Sequence, residues 1–172
     1  MSDRLPDIIR PLHLAETRQI LSGHLPLEKM SRLATVLRNP QDCVAVELEF
    51  GIDEQKIRYA RGHLQTTLDL TCQRCFMSMP LAVNSELTMG FITTLDEADL
   101  LPESYEPVLV QESGCSLLEL VEDELLLSLP LVVRHKESEC QIKQDYIAAY
   151  DDDHEVPVEN PFAVLERLKK GK

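Results

Sequence analysis

The sequence predicts an α+β domain: an antiparallel β-sheet with a C-x-x-C hairpin tip, packed by helices, with a C-terminal helix after an acidic linker. Three observations predict it. Residues 43–91 place apolar side chains at alternate positions, the period of half-buried strands. Residues 116–129 spread them over a broad arc at about 100° per residue, as a helix packed on one side does. Beyond these, an acidic stretch poor in apolar residues leads to Asn160-Pro161-Phe162, where Asn can cap a helix and Pro can take its first position. The boundaries are a single domain over 1–145, a linker over 146–159 and a short helix over 160–172.

Residues 1–40 read as a helical, mildly basic entry. Pro26 can open a helix from Leu27 to Leu37 with Leu27, Met30, Leu33, Ala34 and Leu37 on one face, and Asn39-Pro40 stops it. Val44, Val46, Leu48 and Phe50 then alternate with Cys43, Ala45, Glu47 and Glu49, a half-buried strand. Ile57 and Tyr59 share one face of the next strand, whereas Leu64, Leu68 and Leu70 share the other phase, so a bulge is expected at Gly62. Leu81, Val83, Leu87, Met89 and Phe91 form the returning strand, which leaves Cys72–Cys75 at the hairpin tip. Val108-Leu109-Val110 suggests an edge strand. Ser116 with Glu119 three residues later is a capping box for the helix that follows, which ends before Pro130.

Charge narrows the function classes. The chain carries −13 net, and its two halves differ: residues 1–80 hold ten basic and ten acidic side chains, residues 81–172 seven and twenty. Such a surface repels nucleic-acid phosphate and suits a basic partner, with Asp96, Glu97 and Asp99 as candidate contacts. A solvated, solubilising face would carry the same charge. Direct binding of naked RNA is not expected. No run is long and apolar enough to span a membrane, the first residues have no apolar export signal, and five cysteines without such a signal read as reduced thiols. A cytoplasmic protein is expected. Phe162, Leu165 and Leu168 form an apolar stripe on the last helix, suited to its own domain or to a partner's groove.

The densest chemistry lies in Cys72 and Cys75, followed about sixty residues on by His135 and Cys140. A C-x-x-C turn brings two soft donors to one point, and the later pair can complete a tetrahedral zinc site. No helix pattern begins at Phe76, which argues against a thioredoxin-like redox pair, whose thiolate sits at a helix N-terminus. Cys72 and Cys75 could equally be small buried residues in a turn. Glu124 falls inside the apolar arc of its helix and must be paired or protonated. It can orient His135 as a carboxylate beside a metal-bound imidazole, or pair with an arginine such as Arg74. There is no Ser/His/Asp order and no phosphate-binding glycine loop.

With these pieces in order, the chain resembles the YceD family of bacterial and plastid proteins. The carriers are Leu70-Thr-Cys-Gln-Arg-Cys75, Leu101-Pro-Glu-Ser-Tyr-Glu-Pro107, Leu120-Val-Glu-Asp-Glu-Leu-Leu-Leu-Ser-Leu-Pro130, His135 with Cys140, and Asn160-Pro-Phe-Ala-Val-Leu165. The resemblance implies a role in accumulation of large-subunit ribosomal RNA, hence ribosome biogenesis. It supplies no catalytic mechanism, so a non-enzymatic factor acting on a ribosomal protein or a pre-ribosomal large-subunit particle is expected. Family branches with extra cysteines in place of the His/Cys pair favour metal binding. The family's gene also commonly lies beside a lipid-synthesis cluster, which offers an alternative: an adaptor regulating a lipid-synthesis enzyme. A metal-dependent nuclease would need an open metal position, which a closed Cys/Cys/His/Cys set does not offer.

Overall fold

Strand alternation and one amphipathic helix set the architecture. The computed structural model describes residues 5–111 and 113–141. The chain runs through β1 (Ile8–Ile9), α1 (Pro11–Glu16), β2 (Ile20–Pro26), a 3₁₀ turn (Leu27–Lys29) and α2 (Ser31–Ala34). It continues through β3 (Cys43–Ile52), β4 (Arg58–Thr71), β5 (Ser78–Ile92) and a second 3₁₀ segment (Leu95–Leu100). The described part closes with β6 (Glu106–Leu109), β7 (Cys115–Ser116) and α3 (Leu117–Leu127). The main sheet has the order β2-β3-β4-β5-β6, and β1 pairs with β7 in a separate ribbon. The α+β expectation holds, with one refinement: β6 joins β5 in parallel, so the sheet is antiparallel except at that edge. A parallel neighbour needs a crossover, which residues 93–105 provide.

Period-2 alternation gives the sheet one dry face and one wet one. Val44, Val46, Leu48 and Phe50 of β3, Ala60, Leu64, Leu68 and Leu70 of β4, and Met79, Val83, Leu87, Met89 and Phe91 of β5 are buried in one cluster. Leu27, Met30 and Leu33 join it from the entry segment, and Leu117, Val121 and Leu125 from α3. Glu47, Glu49, Arg61, His63, Gln65 and Glu86 occupy the exposed positions.

Four expectations are corrected. The helix predicted for Leu27–Leu37 is a 3₁₀ turn and a four-residue α2, separated at Met30. Leu27, Met30 and Leu33 are spaced by three, which a 3₁₀ turn satisfies as well as an α-helix does. The helical entry also contains β2, an edge strand whose sequence, Ile-Leu-Ser-Gly-His-Leu-Pro, lacks apolar alternation and is held by its ladder to β3. There is no bulge at Gly62: the registers of β4 with β3 and β5 run through it without a slip. Ala60, not Tyr59, faces the core. Glycine is required there because a Cβ would lie 1.9 Å from the Glu47 carbonyl oxygen on β3. Finally, Leu127 of α3 is 78% exposed despite its place in the apolar arc.

The sharpest departure concerns the buried carboxylate of α3. Glu122, predicted on the polar side, is buried, whereas Glu124 is half-buried. Glu122 Oε1 accepts the backbone N–H groups of Arg32 (2.7 Å) and Leu33 (3.0 Å). Its Oε2 accepts Arg32 Nε (3.1 Å) and Nη2 (2.9 Å). No residue within α2 caps that helix; a carboxylate from α3 satisfies its first N–H groups instead. Arg32 also pairs with Asp123 at 2.6 Å. Ser116, as predicted, caps α3 by accepting the Glu119 N–H.

Burial alone would raise the Glu122 carboxyl, but the Leu33 N–H and the Arg32 guanidinium and N–H outweigh it and hold its pKa below the ordinary carboxylate value. A depressed folded-state pKa stabilises the fold fully above the unfolded value and is lost as pH falls through the folded one. Glu122→Gln should therefore cost roughly 1–3 kcal/mol at pH 7. Denaturant titrations of the two proteins should converge as the pH drops below about 4. Equal stability at pH 7, or a gap that persists unchanged in acid, would contradict this role.

Candidate metal centre

The β4–β5 ladder ends at Thr71 opposite Ser78, so residues 72–77 form the hairpin tip. There the Cys72 N–H donates to the Met77 carbonyl (3.0 Å) and the Phe76 N–H to the Cys72 carbonyl (2.9 Å). Phe76 has a φ of 60°, in the left-handed region that favours glycine. Arg38 Nη1 donates to its carbonyl at 3.1 Å. The tip is thus a tight turn that directs Cys72 and Cys75 inward.

The chain returns to this tip after α3. The Gln73 N–H donates to the Val133 carbonyl at 2.8 Å. A turn then closes with the Glu139 and Cys140 N–H groups both on the Lys136 carbonyl (3.0 and 3.1 Å). As a result Cys72, Cys75, His135 and Cys140 bring one ligand atom each to a cluster whose atoms lie within 4.8 Å of one another. A tetrahedral site with ~2.3 Å metal–sulfur bonds has edges of about 3.8 Å. The four donors therefore need shift only by roughly half an ångström to enclose an ion. All five cysteines are free thiols.

The surroundings fit a cationic guest. His135 Nε2 lies 3.0 Å from the Ser78 carbonyl oxygen. A carbonyl only accepts, so Nε2 carries the hydrogen, and the neutral ring presents its Nδ1 lone pair toward Cys75 Sγ at 3.3 Å. Burial pushes the Cys72 thiol up, but the backbone N–H groups of Cys75, His135 and Arg74 outweigh it and bring it down to about 5. The Met77 N–H draws the Cys75 thiol down, but burial and the neighbouring Cys72 and Cys140 sulfurs leave it raised. Arg74 Nε donates to Cys140 Sγ at 3.0 Å and Nη2 to the His135 carbonyl at 3.3 Å. Three thiolates and a neutral imidazole around a divalent ion leave one negative charge, which this guanidinium balances. Four protein donors also close the site, as structural rather than catalytic centres do.

The other candidate residues lie elsewhere. Glu124 accepts the Ser85 hydroxyl, so neither His135 nor Arg74 is its partner. The orienting group on His135 is a backbone carbonyl, which no residue pattern could disclose. Arg74 was legible only as a cation inside the C-x-x-C loop. Asp96, Glu97 and Asp99 sit on the 3₁₀ segment beyond the opposite end of β5. Asp96 and Asp99 are exposed, whereas Glu97 accepts the Thr93 N–H (2.8 Å) and hydroxyl (2.9 Å). Cys43 is exposed. Burial, then the Glu119 charge, push the Cys115 thiol up to about 11, which leaves it inert. Phe162, Leu165 and Leu168, with the linker and the last helix, lie outside the described residues.

Residues 60–169 match the family described as YceD, large ribosomal RNA subunit accumulation protein YceD. The chain is 35% identical over 169 residues to the large ribosomal RNA subunit accumulation protein YceD of Haemophilus influenzae, an alignment that covers 97% of each chain. No solved structure matches.

Reduced protein titrated with Co²⁺ should bind about one ion per chain and develop thiolate-to-metal absorption of a tetrahedral site. Cys140→Ser should weaken that binding by an order of magnitude or more and lower the melting temperature of the metal-loaded form. A cobalt spectrum without sulfur bands, or one unchanged in Cys140→Ser, would rule the cluster out as a metal centre.

Proposed function

Because the chain belongs to the YceD family, we propose that it is a non-enzymatic factor in large ribosomal subunit biogenesis. It supports the synthesis, processing or accumulation of large-subunit ribosomal RNA. The observation that carries this reading is the match along 97% of both chains to a relative named for that accumulation. An alignment of that extent spans the hairpin tip and the return segment, which supports carrying the relative's named role to this chain.

The cluster at the tip serves as a structural zinc site. Sulfur and imidazole donors suit zinc better than the hard cations magnesium and calcium. Bound there, zinc would cross-link the hairpin to residues 133–140, a segment with few apolar anchors of its own. The group supplies rigidity rather than chemistry, which agrees with a factor that positions other molecules.

Its partner is a basic ribosomal protein or the pre-ribosomal large-subunit particle, met in the cytoplasm. Of the chain's excess charge, all lies after residue 80, and the exposed carboxylates Asp96, Asp99, Glu103 and Glu106 follow one another along the crossover from β5 to the start of β6. Such a surface steers cationic partners and repels bare phosphate. On the sequence pattern we read residues 1–145 as one domain, 146–159 as an acidic linker and 160–172 as a short helix. Among the described residues no helix is long and apolar enough to cross a membrane.

Affinity purification of the intact chain at low salt tests the role directly: large-subunit precursors or their proteins should copurify. Recovery of a single lipid-synthesis enzyme instead would overturn it. Reversing Asp96, Glu97 and Asp99 to Lys should weaken that association several-fold and flatten its salt dependence. Tight binding of the unmodified chain to naked ribosomal RNA at physiological salt would show the charge argument to be wrong.

A further inference from the structure

We propose that the C-terminal segment 160–172 seats its apolar side chains in a groove of the same chain, between α3 and the β5–β6 edge of the sheet. The groove holds about 110 Å³ and is lined by Leu87, Met89, Val108, Leu120 and Leu127. That is close to the ~150 Å³ apolar cavities that take up a benzene ring, so it suits a phenyl or isobutyl group. Of these, Leu127 is 78% exposed, although it belongs to the apolar arc of its helix. Glu106, Asp123 and Glu124 also line it.

Three features of the chain select this occupant. The first is pattern: Phe162, Leu165 and Leu168 recur every three residues, a stripe too short to hold a helix without burial. The second is charge. Residues 160–172 carry Arg167, Lys169, Lys170 and Lys172 against Glu166, a net of +3 in a half of the chain that is otherwise strongly acidic. Carboxylates line the groove, so apolar and ionic complementarity coincide there.

The third feature is reach. The described chain ends at Gln141, beside the hairpin tip, and residues 142–161 precede Phe162. From Ser78 at the tip to Leu87 in the groove, β5 advances nine residues, or about 30 Å. A flexible chain of twenty residues has an end-to-end distance of roughly 25 Å. Linker and span match, the condition under which an intramolecular site sees millimolar effective concentration. Even a weak contact is then largely made within one chain.

The chain's five methionines supply the test, since Met89 lines the groove and Met30 is buried in the core. In the full-length protein with ¹³C-labelled methionine methyls, the double variant Phe162→Ser/Leu165→Ser should move the Met89 signal and leave Met30 and Met79 in place. Lys169→Glu/Lys170→Glu should move it part of the way in the same direction. A synthetic peptide of residues 158–172 added to the first variant should restore it. A Met89 signal untouched by both variants would overturn the proposal. So would a shift that depends on protein concentration, which would mean that a second copy fills the groove, or an equal movement of every methionine. The readout needs only the purified chain, so its failure leaves the ribosomal reading standing, and failure of that reading leaves this one.

Discussion

The unbroken register of β4 and β5 is the constraint from which the other features follow. The two strands pair from Tyr59–Gly90 to Thr71–Ser78 without an inserted residue. A single slip would turn every side chain to the opposite face, burying Arg61, His63 and Gln65 and exposing Leu64, Leu68 and Leu70. The same ladder fixes both ends of the molecule. At one end it delivers Cys72 and Cys75 in a six-residue tip; at the other it places Gly90–Ile92 beside β6 and the acidic 3₁₀ segment. Gly62 belongs to this constraint, because only a residue without Cβ lets β3 pass so close at Glu47.

Two charges then fasten what the sheet cannot hold by apolar contact. Glu122 binds both the guanidinium and the backbone of α2, so an entry segment of two short turns acquires a defined position against α3. A buried carboxylate with four donors is tolerable; the same carboxylate with one would not be. Arg74 performs the converse service, offering a fixed cation to Cys140 and to the His135 carbonyl. Both residues join stretches far apart in sequence, and each does so through backbone as well as side-chain groups. A residue of like charge and different shape would not reproduce either set of contacts.

Much of the sheet was legible because period-2 alternation survives burial: Val44 to Phe50 and Val83 to Phe91 lie where their spacing put them. The capping of α3 by Ser116 was legible because both partners are local. What failed was decided at a distance. β2 exists because β3 offers a ladder, and a sequence without alternation cannot announce that. Glu122 and Glu124 stand two apart on one helix, and helical geometry alone assigns the first to water; Arg32, ninety residues earlier, decides otherwise. The four metal-ligating candidates were named from spacing and chemistry, and the fold brings them together. Their supports, the Ser78 carbonyl and the N–H groups around Cys72, belong to the backbone and leave no residue signature.

The two ends of the β4–β5 hairpin differ in chemistry. The tip carries soft donors, a strained turn at Phe76 and a compensating arginine, a combination that would resist deformation if an ion joined the strands to residues 133–140. The opposite end carries carboxylates on short, exposed segments, a combination that attracts without specifying fine geometry. The proposed role, holding one component of a large assembly in place, would use both: a rigid frame and a forgiving surface. If the acidic end were the specific element, its side chains would be locked by partners of their own, as Glu97 is by Thr93. Asp96 and Asp99 beside it remain exposed. On the proposed reading, electrostatic attraction at that end would set how fast a basic partner arrives, and the shape of the frame would decide which one stays.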